Sequence, residues 1–351
     1  MLVKYQCPHY LSGSSNLITK VLNNRLKIFI NYFLGPVLFI WLSFSLYQHI
    51  SKQPNLEQAW SEIKSSLYGS QSWKVLFVIV LMMFNWGMEA MKWKVLVQHI
   101  QPISFFTAYR AVLAGQAFAM NTPNRVGEYL GRVIYIGEGN RLRAIVITFI
   151  GSISQLIVTI VLGCVSLLFL QHLLSDATNH QALVSLMWIR ATIWGLIAVS
   201  VILLVLYFKI SAVIKFLEKI PFVARYSYFI QKLEEFKWRE LLDVLSLSLL
   251  RFCIFIIQYY LLLQVFNVSI DFWLTAGLTC IMFLAMAVVP TIALAELGLR
   301  GQLALLLFGV VSTNTLGIVL AASGIWLINL VVPALAGSLF ILGIKLFRNK
   351  K

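Results

Sequence analysis

Residues 121–132 have the sequence NTPNRVGEYLGR, and residues 289–300 have the sequence VPTIALAELGLR. In each stretch a proline, Pro123 or Pro290, is followed by a glutamate and, four residues after that, by an arginine. Proline interrupts an α-helix because it lacks an N–H donor and clashes with the preceding turn. The two stretches therefore predict short, broken helices with an ion pair beside each break.

The composition shows that these stretches belong to a membrane protein. Of the 351 residues, 60% are hydrophobic and 12% are charged, whereas soluble domains are about half apolar and about a quarter charged. This excess argues against a water-soluble enzyme and against a nucleic-acid partner. A crossing helix needs about 20 apolar residues. Six segments meet that requirement: 28–47, 73–91, 144–170, 188–208, 241–265 and 319–344.

The positions of Lys and Arg predict the orientation. Four fall in 1–27, seven in 92–143, seven in 209–240 and four in 345–351. Cytoplasmic loops carry the excess of these residues, so we expect a multi-pass protein of the cell inner (plasma) membrane with both termini in the cytoplasm. With six crossings and both termini on one side, the two proline-broken segments must each return to the side from which they enter.

We therefore predict an all-α polytopic membrane protein with six full transmembrane helices and two re-entrant helical hairpins in inverted arrangement. The hairpins span about 105–143 and 272–311, within a single transmembrane domain at 28–344. A cytoplasmic N-terminal segment, 1–27, and a basic cytoplasmic tail, 345–351, flank this domain. Chance similarity of the hairpins is the alternative, because Ala, Met and Pro are common in membrane segments. Broken helices at corresponding positions of two halves indicate a transport site at the bilayer midplane.

The first break is a candidate anion site. Thr122 can cap free helix amides, and Pro123 at a first helical position loses no hydrogen bond. A half-helix that starts inside the membrane presents its positive end to an anion. Asn121, Asn124 and Arg125 lie at the same turn, so we assign this turn to binding a phosphate or carboxylate. The alternative is that Asn121 and Thr122 only satisfy the backbone around the break.

Two Glu/Arg pairs, Glu128 with Arg132 and Glu296 with Arg300, are further candidates for substrate binding. Residues four apart share one helix face and can form an ion pair. Ionisable groups inside a membrane are costly and usually face a cavity. The alternative is a structural ion pair that neutralises itself.

Arg251, in the middle of 241–265, is the last candidate. We predict that Arg251 is buried and pairs with an acidic group of the first hairpin, with Glu89, or with a lipid phosphate. An interfacial position is equally open for Glu89. No cofactor, metal site or catalytic residue is predicted, because the five His have no metal-ligand spacing and no catalytic motif is present.

The two proline motifs resemble the signature motifs of a known family. Residues 121–128 and 289–300 look like those of the lysylphosphatidylglycerol synthase transmembrane (flippase-like) family, and the resemblance covers about 28–344. In bifunctional members a soluble aminoacyl-transferase domain follows the membrane region. The chain has no room for that domain, so the resemblance implies a stand-alone member that is not an enzyme. Gly301 departs from the acidic residue that many members carry after the Arg.

Together these features predict a lipid translocase that moves an anionic or zwitterionic (glyco)lipid, or a polyprenyl-phosphate-linked lipid, between leaflets. A small-solute or ion-coupled secondary transporter is one alternative, because broken helices also serve ion coupling. A non-transporting membrane subunit of an envelope lipid or glycan enzyme is another. The expected partners are membrane lipids and, for the last alternative, a separate lipid- or glycan-modifying enzyme.

Overall fold

The computed structural model describes residues 44, 61, 64, 69, 71–120, 122, 125–178, 186–217, 231–289 and 293–341. Every regular element in these residues is a helix, which confirms the all-α fold. Apart from Phe44, the predicted crossing 28–47 lies outside the described residues, as do the segments 1–27 and 345–351.

The described residues contain eleven α-helices. In chain order they are α1 Ser72–Val97, α2 Phe105–Ala119, α3 Gly127–Val133, α4 Arg141–Thr178, α5 Leu186–Phe208, α6 Ile210–Leu217, α7 Trp238–Val265, α8 Phe272–Val288, α9 Ala293–Phe308, α10 Thr315–Trp326 and α11 Val332–Ile341. A π-helical turn, Leu327–Val331, joins α10 to α11.

Four of the predicted crossings coincide with stretches that are long and apolar enough to span a bilayer. These stretches are Ser72–Val97, Glu138–Gln171, Arg190–Phe208 and Thr315–Ile341. The predicted crossing 241–265 lies within α7, which has 28 residues and is therefore about 42 Å long at about 1.5 Å per residue. The protein is thus a polytopic membrane protein.

Each proline-broken segment forms a pair of short helices that pack on one another. α2 has 15 residues and α8 has 17, so they measure about 22 and 26 Å, less than the roughly 30 Å of a hydrocarbon core. α2 packs on α3, and α8 packs on α9. Short paired helices are what a re-entrant hairpin requires, while the face from which each pair enters stays a prediction.

Glycines allow α2 and α3 to approach closely. A Cβ atom on Gly131 would lie 2.5 Å from the Cα of Gly115, and one on Gly115 would lie 2.8 Å from the carbonyl oxygen of Glu128. Gly127 and Gly131 are four residues apart, the small-residue spacing by which membrane helices pack backbone to backbone. This packing fixes Glu128 and Arg132 relative to α2.

The start of α3 differs from the predicted start at Pro123. α3 begins at Gly127 and has only seven residues, although the Oγ1 of Thr122 does accept a hydrogen bond from the amide of Gly127 at 2.7 Å. The intervening residue Arg125 has a φ of 57°, in the left-handed region that ends regular helix. Because α3 is so short, its helix dipole is weak. Any attraction of an anion to this break therefore comes mainly from charged side chains.

The centre of the molecule is formed by α1 and α7, which pack along each other. α2 packs on α1 and on α11, and α4 packs on α1, α7 and α8. The two helix pairs α2–α3 and α8–α9 are thereby brought to the same central axis. Arg132 of α3 contacts Glu89 of α1, and Arg300 of α9 contacts Tyr259 of α7.

Candidate functional site

A cavity of about 570 Å³ lies between the two proline-broken segments. Its polar lining residues are Arg125, Gln155, Thr159, Arg251, Glu296 and Arg300. Four of these are sequence-predicted site residues, which come from the first broken segment, from α7 and from α9. The structure therefore brings together residues that are far apart in the sequence.

The apolar part of the lining suits a lipid. Phe252, Phe255 and Phe283 line one part of the cavity, and Val288 and Val289 line another. Val288 is 74% exposed and Val289 is 42% exposed. Since these valines belong to a membrane-embedded helix end, the cavity has an apolar edge that faces out of the protein.

Arg125 is held in the cavity wall by hydrogen bonds through the neutral side chain of Gln116. Its Nη2 donates to the Oε1 of Gln116 at 2.5 Å, and the Nε2 of Gln116 donates to the carbonyl oxygen of Leu330 in the π-helical turn at 3.3 Å. The backbone of Arg125 has a positive φ. In residues other than glycine this conformation costs energy, and it is found most often at functional sites. Among the described side chains no acidic group pairs with Arg125.

Arg251 is largely enclosed and pairs with Glu89 of α1, one of the partners predicted for it from the sequence. Its Nη1 lies 2.5 Å from the Oε2 of Glu89, and its Nε donates to the Oδ1 of Asn85 at 2.6 Å. The guanidinium also lies over the ring of Trp86, 5.2 Å from its centroid. Glu89 is 4% exposed, so the protein encloses its carboxylate.

Glu89 is the centre of a buried charge cluster behind the cavity wall. Its Oε1 lies 2.7 Å from the Nη2 of Arg132, and its Oε2 lies 2.7 Å from the Nζ of Lys92. Arg132 also forms an ion pair with Glu128. Neither Glu128 nor Arg132 lines the cavity, so the first Glu/Arg pair connects to it only through Glu89 and Arg251.

Lys92 joins three helices. Besides Glu89 on its own helix, its Nζ donates to the carbonyl oxygen of Gly151 on α4 at 3.3 Å and to the Oγ of Ser248 on α7 at 3.4 Å. Sequence reasoning missed Lys92 because Lys92, Trp93 and Lys94 form a pattern typical of a membrane interface. Its spacing of three from Glu89 was the available signal.

The second Glu/Arg pair does line the cavity. The Nη2 of Arg300 lies 2.5 Å from the Oε1 of Glu296, and its Nη1 donates to the hydroxyl of Tyr259 at 3.0 Å. Arg300 also lies over the ring of Phe283 at 5.5 Å. This pair is both an ion pair and part of the cavity surface.

The remaining predicted residues divide into two groups. Thr122 contacts backbone only: it accepts from Gly127 and donates to carbonyl oxygens at the end of α2. Four predicted positions lie outside the described residues: Asn121, Pro123, Asn124 and Pro290.

Two cavity residues, Gln155 and Thr159 on α4, were not predicted. They are four apart in an apolar helix, which places both on one face, and that spacing was the signal for them. The Oε1 of Gln155 is buried without a hydrogen-bond partner in the structure. No group of three or more His, Cys, Asp or Glu side chains in the described ranges is placed to hold a metal ion.

A known protein family matches most of the chain. The family described as the lysylphosphatidylglycerol synthase TM region matches residues 30–337. No curated protein and no solved structure shows a significant match. The matched range contains both broken helix pairs and every residue of the cavity. The chain therefore belongs to the lysylphosphatidylglycerol synthase TM region family.

Proposed function

We propose that the protein is a lipid translocase that carries the head group of a lipid through the arginine-lined cavity, from one leaflet to the other. The substrate is an anionic or zwitterionic (glyco)lipid, or a polyprenyl-phosphate-linked lipid. The observation that carries the proposal is a cavity within the membrane region lined by Arg125, Arg251 and Arg300, with an apolar, exposed edge at Val288.

The chemistry of the lining supports a phosphate-bearing head group. Arginine binds phosphate through two parallel N–H donors and is weakly hydrated, which suits it to dry sites. A charge in the middle of a bilayer costs at least about 2.5–3.5 kcal/mol, and three guanidinium groups in a cavity offset that cost for an anion. The volume of about 570 Å³ lies within the range of roughly 300–1,000 Å³ found for ligand sites.

The apolar edge favours a lipid over a small solute. A lipid must keep its acyl chains in the bilayer while its head group is inside the protein, which requires a lateral opening. A small solute requires a closed aqueous vestibule instead. The exposed side chains of Val288 and Val289 at the cavity support the first arrangement.

The residues have distinct proposed roles. Arg125, Arg251 and Arg300 contact the head group, while Glu89 and Asn85 hold Arg251 in position. The broken pairs α2–α3 and α8–α9 act as inverted hairpins that open the cavity to one leaflet at a time. No covalent step is involved, so we propose a transporter and not an enzyme, in the inner membrane with both termini in the cytoplasm.

Reconstitution tests the proposal. The purified protein is placed in vesicles that contain a trace of acyl-labelled phospholipid, and the loss of fluorescence to an external quencher reports movement between leaflets. We expect faster exchange than in protein-free vesicles, and a reduction of at least about tenfold for Arg251→Gln, since each guanidinium–phosphate contact is worth about 1.5 kcal/mol or more.

The matched control is Arg239→Gln, which removes the same charge from the exposed first turn of α7. This variant should exchange lipid like the parent. If correctly folded parent protein moved no tested lipid faster than empty vesicles do, the proposed function would be wrong.

A further inference from the structure

If the cavity binds a lipid head group as proposed above, its charge narrows the class of head group that it can bind. We infer that the head group carries two negative charges on phosphate, either as a phosphomonoester or as a diphosphate diester. A monoanionic phosphodiester and a zwitterionic head group are then poor ligands of this site.

The lining has two positive charges in excess. Among the described residues it contains three guanidinium groups, of Arg125, Arg251 and Arg300, and one carboxylate, of Glu296. The chain positions next to these that the structure leaves undescribed, 121, 123, 124 and 290–292, are Asn, Pro, Asn, Pro, Thr and Ile. None of those side chains is ionisable.

The charges behind the wall cancel and leave this excess unchanged. Glu89 and Glu128 provide two negative charges, and Lys92 and Arg132 provide two positive charges. These four groups form a chain of ion pairs in the order Glu128, Arg132, Glu89 and Lys92. Glu89 also contacts Arg251, but that contact redistributes charge within the cluster and does not alter the total.

The excess within the lining itself cannot be removed by loss of a proton, because its cations are all arginines. An arginine side chain stays protonated in proteins, unlike a buried lysine or histidine. Unpaired charge in a membrane interior is costly, so a ligand that brings two negative charges is favoured over one that brings one or none. A site built for a zwitterion would instead offer a free acid to the cationic group, whereas Glu296 is already paired with Arg300 at 2.5 Å.

The number of acceptor oxygens on the phosphate group supports the same conclusion. Arginine binds phosphate most strongly when two of its N–H groups donate in parallel. A phosphodiester offers two non-bridging oxygens and one charge to the three arginines, whereas a phosphomonoester offers three oxygens, a diphosphate diester offers four, and both carry two charges.

Binding measurements with defined lipids test the inference. The detergent-solubilised full chain is titrated at pH 8 with four lipids. Three are a phosphatidic acid, a phosphatidylglycerol and a phosphatidylethanolamine of matched acyl-chain length, and the fourth is a polyprenyl diphosphate-linked sugar, which is a diphosphate diester. Native mass spectrometry counts the bound lipid. We expect the phosphatidic acid or the diphosphate to bind at least about tenfold more tightly than the other two, since one more charge pair near 4 Å in a partly screened site is worth that much.

Charge variants sharpen the test. Arg125→Gln lowers the excess by one charge, so the preference for the dianionic lipids over phosphatidylglycerol should shrink to less than about threefold. Arg239→Gln, which removes an exposed charge outside the cavity, should keep the parent's preference. Thermal unfolding of each variant confirms that it is folded. Equal affinity of the parent for mono- and dianionic lipids would overturn the inference, as would a full preference in Arg125→Gln.

The same lipids in the vesicle assay separate this inference from the proposed function. Tight, selective binding of a dianionic lipid without movement of any lipid would contradict the translocase and leave the head-group assignment standing. Movement of phosphatidylglycerol as fast as phosphatidic acid would support the translocase and overturn the head-group assignment. Comparing phosphatidic acid with the diphosphate identifies which dianionic group the site takes.

Discussion

At the scale of single residues, the carboxylate of Glu89 holds together three cationic side chains from three helices. Lys92 lies on α1, Arg132 on α3 and Arg251 on α7, and each lies within 2.7 Å of a Glu89 oxygen. A buried pair is costly to break because the remaining partner is left charged and unpaired. Glu89 has three such partners, so it should matter more for stability than any other single acid of the cluster.

We therefore predict that Glu89→Gln lowers the free energy of unfolding by about 3–5 kcal/mol, the cost of leaving buried charge uncompensated. The comparison is Glu138→Gln, an exposed acid at the turn before α4, which should change it by less than about 0.5 kcal/mol. Equilibrium unfolding in mixed detergent micelles measures both. Equal stability of the two variants would contradict the central position of Glu89.

Variants of the second pair, Glu296 and Arg300, can distinguish a role in stability from a role in transport. Glu296→Gln alone leaves Arg300 with only the neutral hydroxyl of Tyr259, so it should be destabilised by several kcal/mol. Adding Arg300→Gln removes the unpaired charge and should restore most of the stability. Transport should stay lost, because Arg300 lines the cavity. Recovery of lipid exchange in the double variant would assign this pair a purely structural role.

The first Glu/Arg pair is not equivalent to the second, although their sequences match. Arg132 binds Glu89 as well as Glu128 and is fully enclosed. Spacing along the chain could predict that Glu128 and Arg132 share a helix face, and the burial of Arg251 followed from its position in the middle of a span. It could not predict which helices face one another, so the contact from Glu89 to Arg132 remained hidden.

At the scale of helices, the contact between α2 and α3 depends on glycine. A Cβ on Gly131 would lie within 2.6 Å of backbone atoms of Ala114 and Gly115. We predict that Gly131→Ala lowers the unfolding temperature, at a cost of about 1–3 kcal/mol typical of overpacking. In contrast, Gly298→Ala on α9 meets no atom within 4 Å and should raise stability by up to about 1 kcal/mol.

Thermal unfolding in detergent with a thiol-reactive dye reports both variants. If Gly131→Ala and Gly298→Ala shifted the midpoint in the same direction, the close approach of the two helices would be wrong.

Apolar length predicted the helices well, and the proline positions predicted their breaks. The start of α3 was wrong because Pro123 marks where a helix is allowed to begin, not where it must. The left-handed backbone of Arg125 delays the start to Gly127. The hydrogen bonds of Thr122 and Gln116 on either side of this conformation join residues five and nine apart, and no local pattern shows such contacts.

At the scale of the whole molecule, the orientation of the two hairpins is the central prediction. In a background without native Cys, we introduce single cysteines at four exposed positions: Pro102 and Gly139, which flank α2–α3, and Ser269 and Thr313, which flank α8–α9. An impermeant maleimide should label the first two from the cytoplasmic side only, and the last two from the opposite side only.

Inside-out and right-side-out vesicles provide the two directions of access. Labelling of Pro102→Cys and Gly139→Cys from opposite sides would mean that α2–α3 crosses the membrane. The same result at Ser269 and Thr313 would apply to α8–α9. Either outcome would remove the inverted arrangement and with it the alternating cavity.

In the π-helical turn Leu327–Val331, the number of residues matters more than which apolar residues they are. A π turn contains one residue more than the α-helical ladder, and each residue rotates a helix by about 100°. The backbone of Leu330 accepts from Gln116, which holds Arg125, while Asn329 accepts from Asn85, which holds Arg251. Deleting one residue from this turn would rotate α11 by more than a quarter of a revolution and detach both arginine supports together, whereas exchanging one apolar side chain there for another would leave the register of the helix intact.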